Sequence, residues 1–261
     1  MLSQRIHGPA GNLELVTTGT PVLASDVLPV VLVHSLAGNS AHWSAQLAHF
    51  GSSRLAVAID LRGHGHSDPP ANRDYSFVGM SADIAAVVEA LKLERFLLVG
   101  HSMGGGASLA YAGSHPERIA GLVLVDPIGD GKQISPADAE PLLTGLAENY
   151  HSTIREYWSG IAGTNPAVRE RLLADLDATP RDAVVGSFHE TFRFDPDPWL
   201  AAYQGPTLSI VTPFNDQPFS LHRLGKGFPY RMVHGTGHWI QLEKPAELNT
   251  ILDEFIKSRS L

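Results

Sequence analysis

A serine stands between two glycines in Gly100-His101-Ser102-Met103-Gly104. The segment directly follows the apolar run Phe96–Val99 and directly precedes the Gly- and Ala-rich stretch Met103–His115. A strand that turns abruptly into a helix needs small residues on both sides of the turn, and it leaves the central side chain exposed at the end of the sheet. Ser102 in that setting is a candidate nucleophile. A helix starting at Met103 directs its positive dipole end at any anion developing there. A serine hydroxyl also needs a base beside it. The chain holds 13 histidines, so number selects none of them. His238 is selected by place. It sits in Gly235-Thr236-Gly237-His238-Trp239, after the apolar run Tyr230–His234 and before an amphipathic C-terminal segment. A loop at the carboxyl end of a strand reaches the same rim as Ser102, and Ser…acid…His is one of the chain orders in which this chemistry is found.

Elements that hold these residues are legible as short runs. Val30–His34, Leu55–Asp60, Phe96–Gly100, Gly121–Asp126, Thr207–Val211 and Tyr230–His234 are too short for confident helices, and several are rich in β-branched residues. Runs apolar on both faces suit parallel strands covered by helices. Helix-like spacing lies between them, as in Ile84, Val87, Val88 and Leu91. The alternation predicts βαβ units and a mostly parallel twisted sheet in an α/β fold. It breaks after Asp126. Three apolar stripes follow: Ile154, Tyr157, Trp158 and Ile161; Val168, Leu172, Leu173 and Leu176; Val184, Val185, Phe188 and Phe192. Pro136, Pro166, Pro180 and Pro196 punctuate them as helix starts or breaks. The expected organisation is a core of 1–127 and 201–261 with a helical cap inserted at 128–200. The last helix carries Leu248, Ile251, Leu252, Phe255 and Ile256 on one face.

Composition narrows the function classes. The chain has 261 residues, 43% hydrophobic and 18% charged, with a formal charge of −8. That balance suits a soluble globule and gives no nucleic-acid footprint and no support for docking on an anionic membrane. Cysteine is absent, which removes thiolate nucleophiles and Cys-ligated metals. A metal site from His34, His64, His66 and Asp60 lacks the spacing of a ligand helix. The start, Met1–Gly8, has no long apolar core of a signal peptide. The expectation is a cytoplasmic protein with no cofactor and no metal, monomeric or homodimeric, acting on a small molecule.

Several spaced motifs together resemble the α/β-hydrolase fold family, in its cap-bearing, carboxylesterase-like and epoxide-hydrolase-like branch. They are His34-Ser35-Leu36-Ala37-Gly38, Asp60-Leu61-Arg62-Gly63-His64-Gly65-His66-Ser67, the Ser102 turn, and Gly237-His238 with Glu243-Lys244-Pro245 behind it. The resemblance implies an oxyanion hole from the backbone N–H groups of Leu36 and Met103. It places the acid after the seventh strand, where Asp216 stands one residue late, behind Asn215. Asp126, at the end of the sixth strand, is the rival. The sequence departs from the family pattern at Ser35, where glycine is usual, and at His66, where arginine is usual. His34, Ser35, His101, Tyr157, Trp158, Phe188, Trp199 and Trp239 are candidate substrate contacts. The implied activity is hydrolysis of a modest-size, largely apolar carboxylic ester through an acyl-enzyme. The same residues would serve a lactonase, a C–C bond hydrolase, a cofactor-free perhydrolase or oxygenase, or a slow-hydrolysing ligand receptor. Serine at 102 speaks against dehalogenases and ordinary epoxide hydrolases, whose nucleophile is aspartate.

Overall fold

A computed structural model describes residues 1–19, 27–224 and 228–261. The strands are β1 (Leu2–Gly8), β2 (Gly11–Thr17), β3 (Val30–Val33), β4 (Ala56–Ile59), β5 (Phe96–His101), β6 (Ile119–Val125), β7 (Thr207–Val211) and β8 (Tyr230–Met232). They form one sheet in the order β1-β2-β4-β3-β5-β6-β7-β8. β1 and β2 pair antiparallel, as do β2 and β4, and every other neighbouring pair is parallel.

Period-two alternation decides what each strand buries. Val31, Val33, Val57, Ile59, Leu98, Leu122 and Leu124 face one core, together with α2 (Phe77–Ala90) and α3 (Met103–Ser114). Val30, Leu32, Ala56, Ala58, Leu97, Val99, Val123 and Val125 face the other, against α1 (Ser44–Phe50) and the C-terminal helix, whose range is Pro245–Ser258. Both sheet faces are therefore covered, as the all-apolar runs predict. β1 carries no apolar run. Its residues are largely exposed and it is held by pairing to β2.

Between β6 and β7 the chain forms α4 (Pro136–Glu148), α5 (Tyr150–Ile161), α6 (Pro166–Ala178), α7 (Arg181–Thr191) and α8 (Asp197–Ala202). Pro136 and Pro166 occupy first-turn positions, where the missing N–H costs nothing, and Pro180 and Pro196 sit at the N-caps of α7 and α8. The predicted stripes are the buried faces: Ile154, Trp158, Leu172, Leu176, Val184 and Phe188 join the α2/α3 core. A short helix, α9 (Ile240–Glu243), precedes α10 (Pro245–Ser258). No described helix is long and apolar enough to cross a membrane.

β4 lies on one side of β3 and β5 on the other. The chain reverses its direction of travel across the sheet at that point, and the loops leaving β3 and β5 diverge to open a crevice. Leu36 is on the first loop and Ser102 on the second.

Candidate active site

β5 ends at His101, and Ser102 follows with φ 52° and ψ −117°. A non-glycine residue in that region carries strain of about 1–3 kcal/mol. Surrounding bonds hold it there. The Ser102 N–H donates to Val125 O at 3.0 Å, and its carbonyl accepts from Gly105 N at 2.8 Å and Gly106 N at 3.2 Å. A Cβ on Gly100 would collide with the Gly104 carbonyl and the Ser108 hydroxyl, and one on Gly104 with the His34 carbonyl. Both glycines are needed for close backbone approach, which lets the turn sit between β3 and β6.

His238 Nδ1 lies 2.6 Å from Asp126 Oδ2. Asp126 is fully buried and itself has a positive φ, 42°. Its carboxylate also accepts from the Thr212 N–H at 2.7 Å and the Thr212 hydroxyl at 3.0 Å. An oxygen acceptor at Nδ1 fixes the tautomer, with the proton on Nδ1 and the lone pair on Nε2. Ser102 and His238 line two adjoining cavities in common.

Asp216 is not the carboxylate beside His238. It accepts from Arg223 Nε and Nη2, both at 2.7 Å, and from His222 Nε2 at 2.8 Å. These partners, Arg223 foremost, hold its carboxyl well below the usual range. Asn215, at the family's usual acid position, donates its amide to Pro127 O at 2.5 Å. The reason lies one residue past β7. Thr212 stands there and reaches across to Asp126 at the end of the neighbouring strand, so β6 supplies the carboxylate beside His238 and β7 its support.

His101 and His34 flank the site without entering it. His101 Nε2 donates to the His238 carbonyl at 2.9 Å, and Nδ1 accepts from Gln241 at 2.8 Å. His34 Nδ1 donates to Ser35 O at 2.6 Å, and Nε2 accepts the Leu61 N–H at 3.0 Å. Trp199 is also outside the cavities; it lies on α8 against Gly113 of α3. Ser35, Tyr157, Trp158, Phe188 and Trp239 do line the smaller cavity, along with Leu36 and Met103. As the first residue of α3, Met103 presents one of the N–H groups that a helix start leaves unpaired. Ser35, the departure from glycine, accepts the Trp239 indole N–H at 3.2 Å and so ties the Leu36 loop to the His238 loop. Ile128, Leu142 and Phe214, which the sequence did not single out, line the larger cavity. Phe214 is 48% exposed, and its only signal in the sequence is its place two residues before Asp216.

The His238 loop is also bound to the helical insertion. The His238 N–H donates to Ile161 O at 2.9 Å. Glu243 accepts from Gly163 N at 3.0 Å and Gly237 N at 3.2 Å. A Cβ at Gly237 would strike the Gly163 backbone, which explains the glycine there. Further along, Asp175 of α6 bonds His42 Nε2 at 2.9 Å and Asn39 Nδ2 at 3.1 Å, just beyond the Leu36 loop.

Burial keeps several of these imidazoles neutral. It lowers His34 and His64 to about 3 and His101 well below the ordinary value of 6.5. The unfolded chain takes up those protons near pH 6.5. Below that pH it holds more protons than the folded chain, so stability is complete above pH 6.5 and falls as the pH drops toward 3. Each such group contributes a slope of up to ~1.4 kcal/mol per pH unit. Urea midpoints are expected to fall markedly from about pH 7 to about pH 5. A midpoint constant over that range would show that these rings are protonated without loss of the fold.

A surface depression of about 520 Å³ lined by Pro9, Arg62, Asp74 and Val78 holds no comparable arrangement. Its Arg62 is occupied by Asp83 at 2.8 Å.

Residues 29–175 match the family described as alpha/beta hydrolase fold. The chain is 27% identical over 255 residues to the Caenorhabditis elegans Abhydrolase domain-containing protein abhd-5.2, covering 92% of this chain and 56% of that protein. It thus spans about half of that relative's length. It is 38% identical over 251 residues to a Bacillus subtilis protein provisionally named 2-succinyl-6-hydroxy-2,4-cyclohexadiene-1-carboxylate synthase, covering 88% of this chain and 90% of that one. Among solved structures, a thermophilic esterase from Thermogutta terrifontis superposes with a TM-score of 0.81 at 24% identity, over 99% of each chain.

Proposed function

The chain belongs to the alpha/beta hydrolase fold family, and on that footing we propose that it is a serine hydrolase of neutral carboxylic esters, with Ser102 as nucleophile, His238 as base and Asp126 as the orienting acid. One observation carries the reading. The His238 Nδ1–Asp126 bond of 2.6 Å leaves Nε2 free in the cavities that Ser102 lines from a strained turn.

The steps follow from that geometry. Ser102 Oγ attacks the ester carbonyl as Nε2 of His238 takes its proton. Asp126 stabilises the imidazolium and keeps its orientation. The Leu36 and Met103 amides receive the oxyanion, a contribution of roughly 3–4 kcal/mol per donor in a comparable site. The imidazolium protonates the departing alcohol as the C–O bond breaks. Water, deprotonated by His238, then releases the acid and restores Ser102.

The helical insertion acts as a lid, and its lining supports a neutral substrate. The larger cavity, about 470 Å³, is walled mainly by apolar residues such as Ile128, Leu142, Phe192 and Phe214. Among the described residues no Lys or Arg lines it, and its rim carries Asp138. A carboxylate-bearing substrate finds no counter-ion there, so the reaction suggested by the Bacillus relative's name is the weaker reading. The test is a fluorophosphonate probe followed by peptide mass mapping, beside turnover of 4-nitrophenyl acetate. Labelling confined to Ser102 with parallel loss of turnover is expected. Undiminished turnover after complete labelling would defeat the proposal.

A further inference from the structure

Ser102 stands between two chambers of very different size. The smaller holds about 60 Å³ and the larger about 470 Å³. Seven residues border both, Ser102, Tyr157, Phe188 and His238 among them. Leu36, Met103, Trp158 and Trp239 border only the smaller, and all four are buried. Leu142, Asp138, Phe214 and Gln217 border only the larger, and the last three are exposed. Beyond the shared residues, buried side chains alone wall the smaller chamber, the closed side of the site, and the larger reaches the surface at the open side.

We propose, resting on the serine-ester reading above, that the closed chamber takes the acyl group and the open one the alcohol, so that the substrates are short-chain acyl esters of bulky, apolar alcohols. Two arguments assign the halves. The carbonyl oxygen must reach the Leu36 and Met103 amides, and those residues border the closed chamber alone. The alcohol must leave and water must enter before the acyl group is released, and only the larger chamber offers a route past exposed residues. The capacity sets the chain length. One water needs about 10–15 Å³ of such fillable space, so the ~60 Å³ accepts roughly four to six such groups, the tail of a short acyl chain. Trp158, packed against Trp239 with ring centroids 5.7 Å apart, lines this chamber and not the larger one.

The wild-type protein is assayed on 2-naphthyl acetate, 2-naphthyl octanoate, methyl octanoate and ethyl acetate. Because each surplus methylene costs about tenfold or more in a filled pocket, kcat/KM on 2-naphthyl acetate should exceed that on 2-naphthyl octanoate by at least ~10-fold. Trp158→Ala should raise the octanoate-to-acetate ratio by about tenfold. Leu142→Trp, which tests the proposal even if the Trp158 variant does not fold, should lower kcat/KM on 2-naphthyl acetate relative to ethyl acetate by about tenfold. Ser102-dependent hydrolysis that favours either octanoate, or is indifferent to acyl length, overturns the chamber assignment alone. So does a Leu142→Trp variant that alters acyl-length preference instead of alcohol preference. Absence of Ser102-dependent hydrolysis on all four esters overturns the serine-ester reading and this assignment with it.

Discussion

Ser102→Ala is expected to lower kcat on an activated ester by about 10⁴- to 10⁶-fold, the range seen when a serine nucleophile is removed from such a set. The variant should fold normally. Its backbone bonds to Val125, Gly105 and Gly106 do not involve the hydroxyl, and alanine at φ 52° is no more strained than serine. Substrate affinity should change little, because the hydroxyl acts in the transition state rather than in binding. The check is kcat and KM on 4-nitrophenyl acetate beside a thermal melt. Hydrolysis within about tenfold of wild type, in a protein with an unchanged melt, would exclude the serine mechanism.

The second large effect separates two aspartates. Asp126→Asn keeps the shape but not the acceptors. Asp126 Oδ2 takes bonds from both His238 Nδ1 and the Thr212 hydroxyl, and an amide nitrogen there would face donors. The imidazole then turns to its other tautomer and loses the lone pair at Nε2. A loss of about 10⁴-fold in kcat follows by analogy with the same change in a serine protease. Asp216→Asn breaks only the bonds to Arg223 and His222, and an exposed ion pair of that kind is worth about 0–1 kcal/mol. Its kcat should stay within about threefold of wild type. Collapse of Asp216→Asn with survival of Asp126→Asn would return the acid to the loop after β7.

The sheet was legible because its strands are buried on both faces. Val30–Val33 and Ala56–Ile59 carry no polar residue at all, so the runs stand out. Prolines 136, 166, 180 and 196 marked helix starts for the same local reason that they are tolerated there. β1 escaped, since pairing to β2 rather than an apolar face defines it. Ser102 and His238 were readable because glycines announce tight turns, on both sides of Ser102 and just ahead of His238. The acid was not. Asp126 and Asp216 both sit just past strands, and the choice rests on a Thr212 side chain that crosses from one strand to the next. Candidate walls divided by direction. His101 precedes Ser102 in the chain, yet its ring turns away to hold the His238 carbonyl. Adjacency in sequence near a strand end points side chains apart, not together.

The ties between the helices that follow β6 and the Leu36 and His238 loops shape how this scaffold can diversify. The end of α5 is joined to the His238 loop through Ile161 and Gly163, and α6 is joined through Asp175 to the turn beyond Leu36. Substitution at those junctions would loosen the loops that carry His238 and Leu36. Leu142 on α4 and Phe192 just past α7 face the open chamber and take no part in these bonds. Substitutions at Leu142 or Phe192 are therefore expected to reshape the larger cavity without disturbing the bonds that hold the Leu36 and His238 loops.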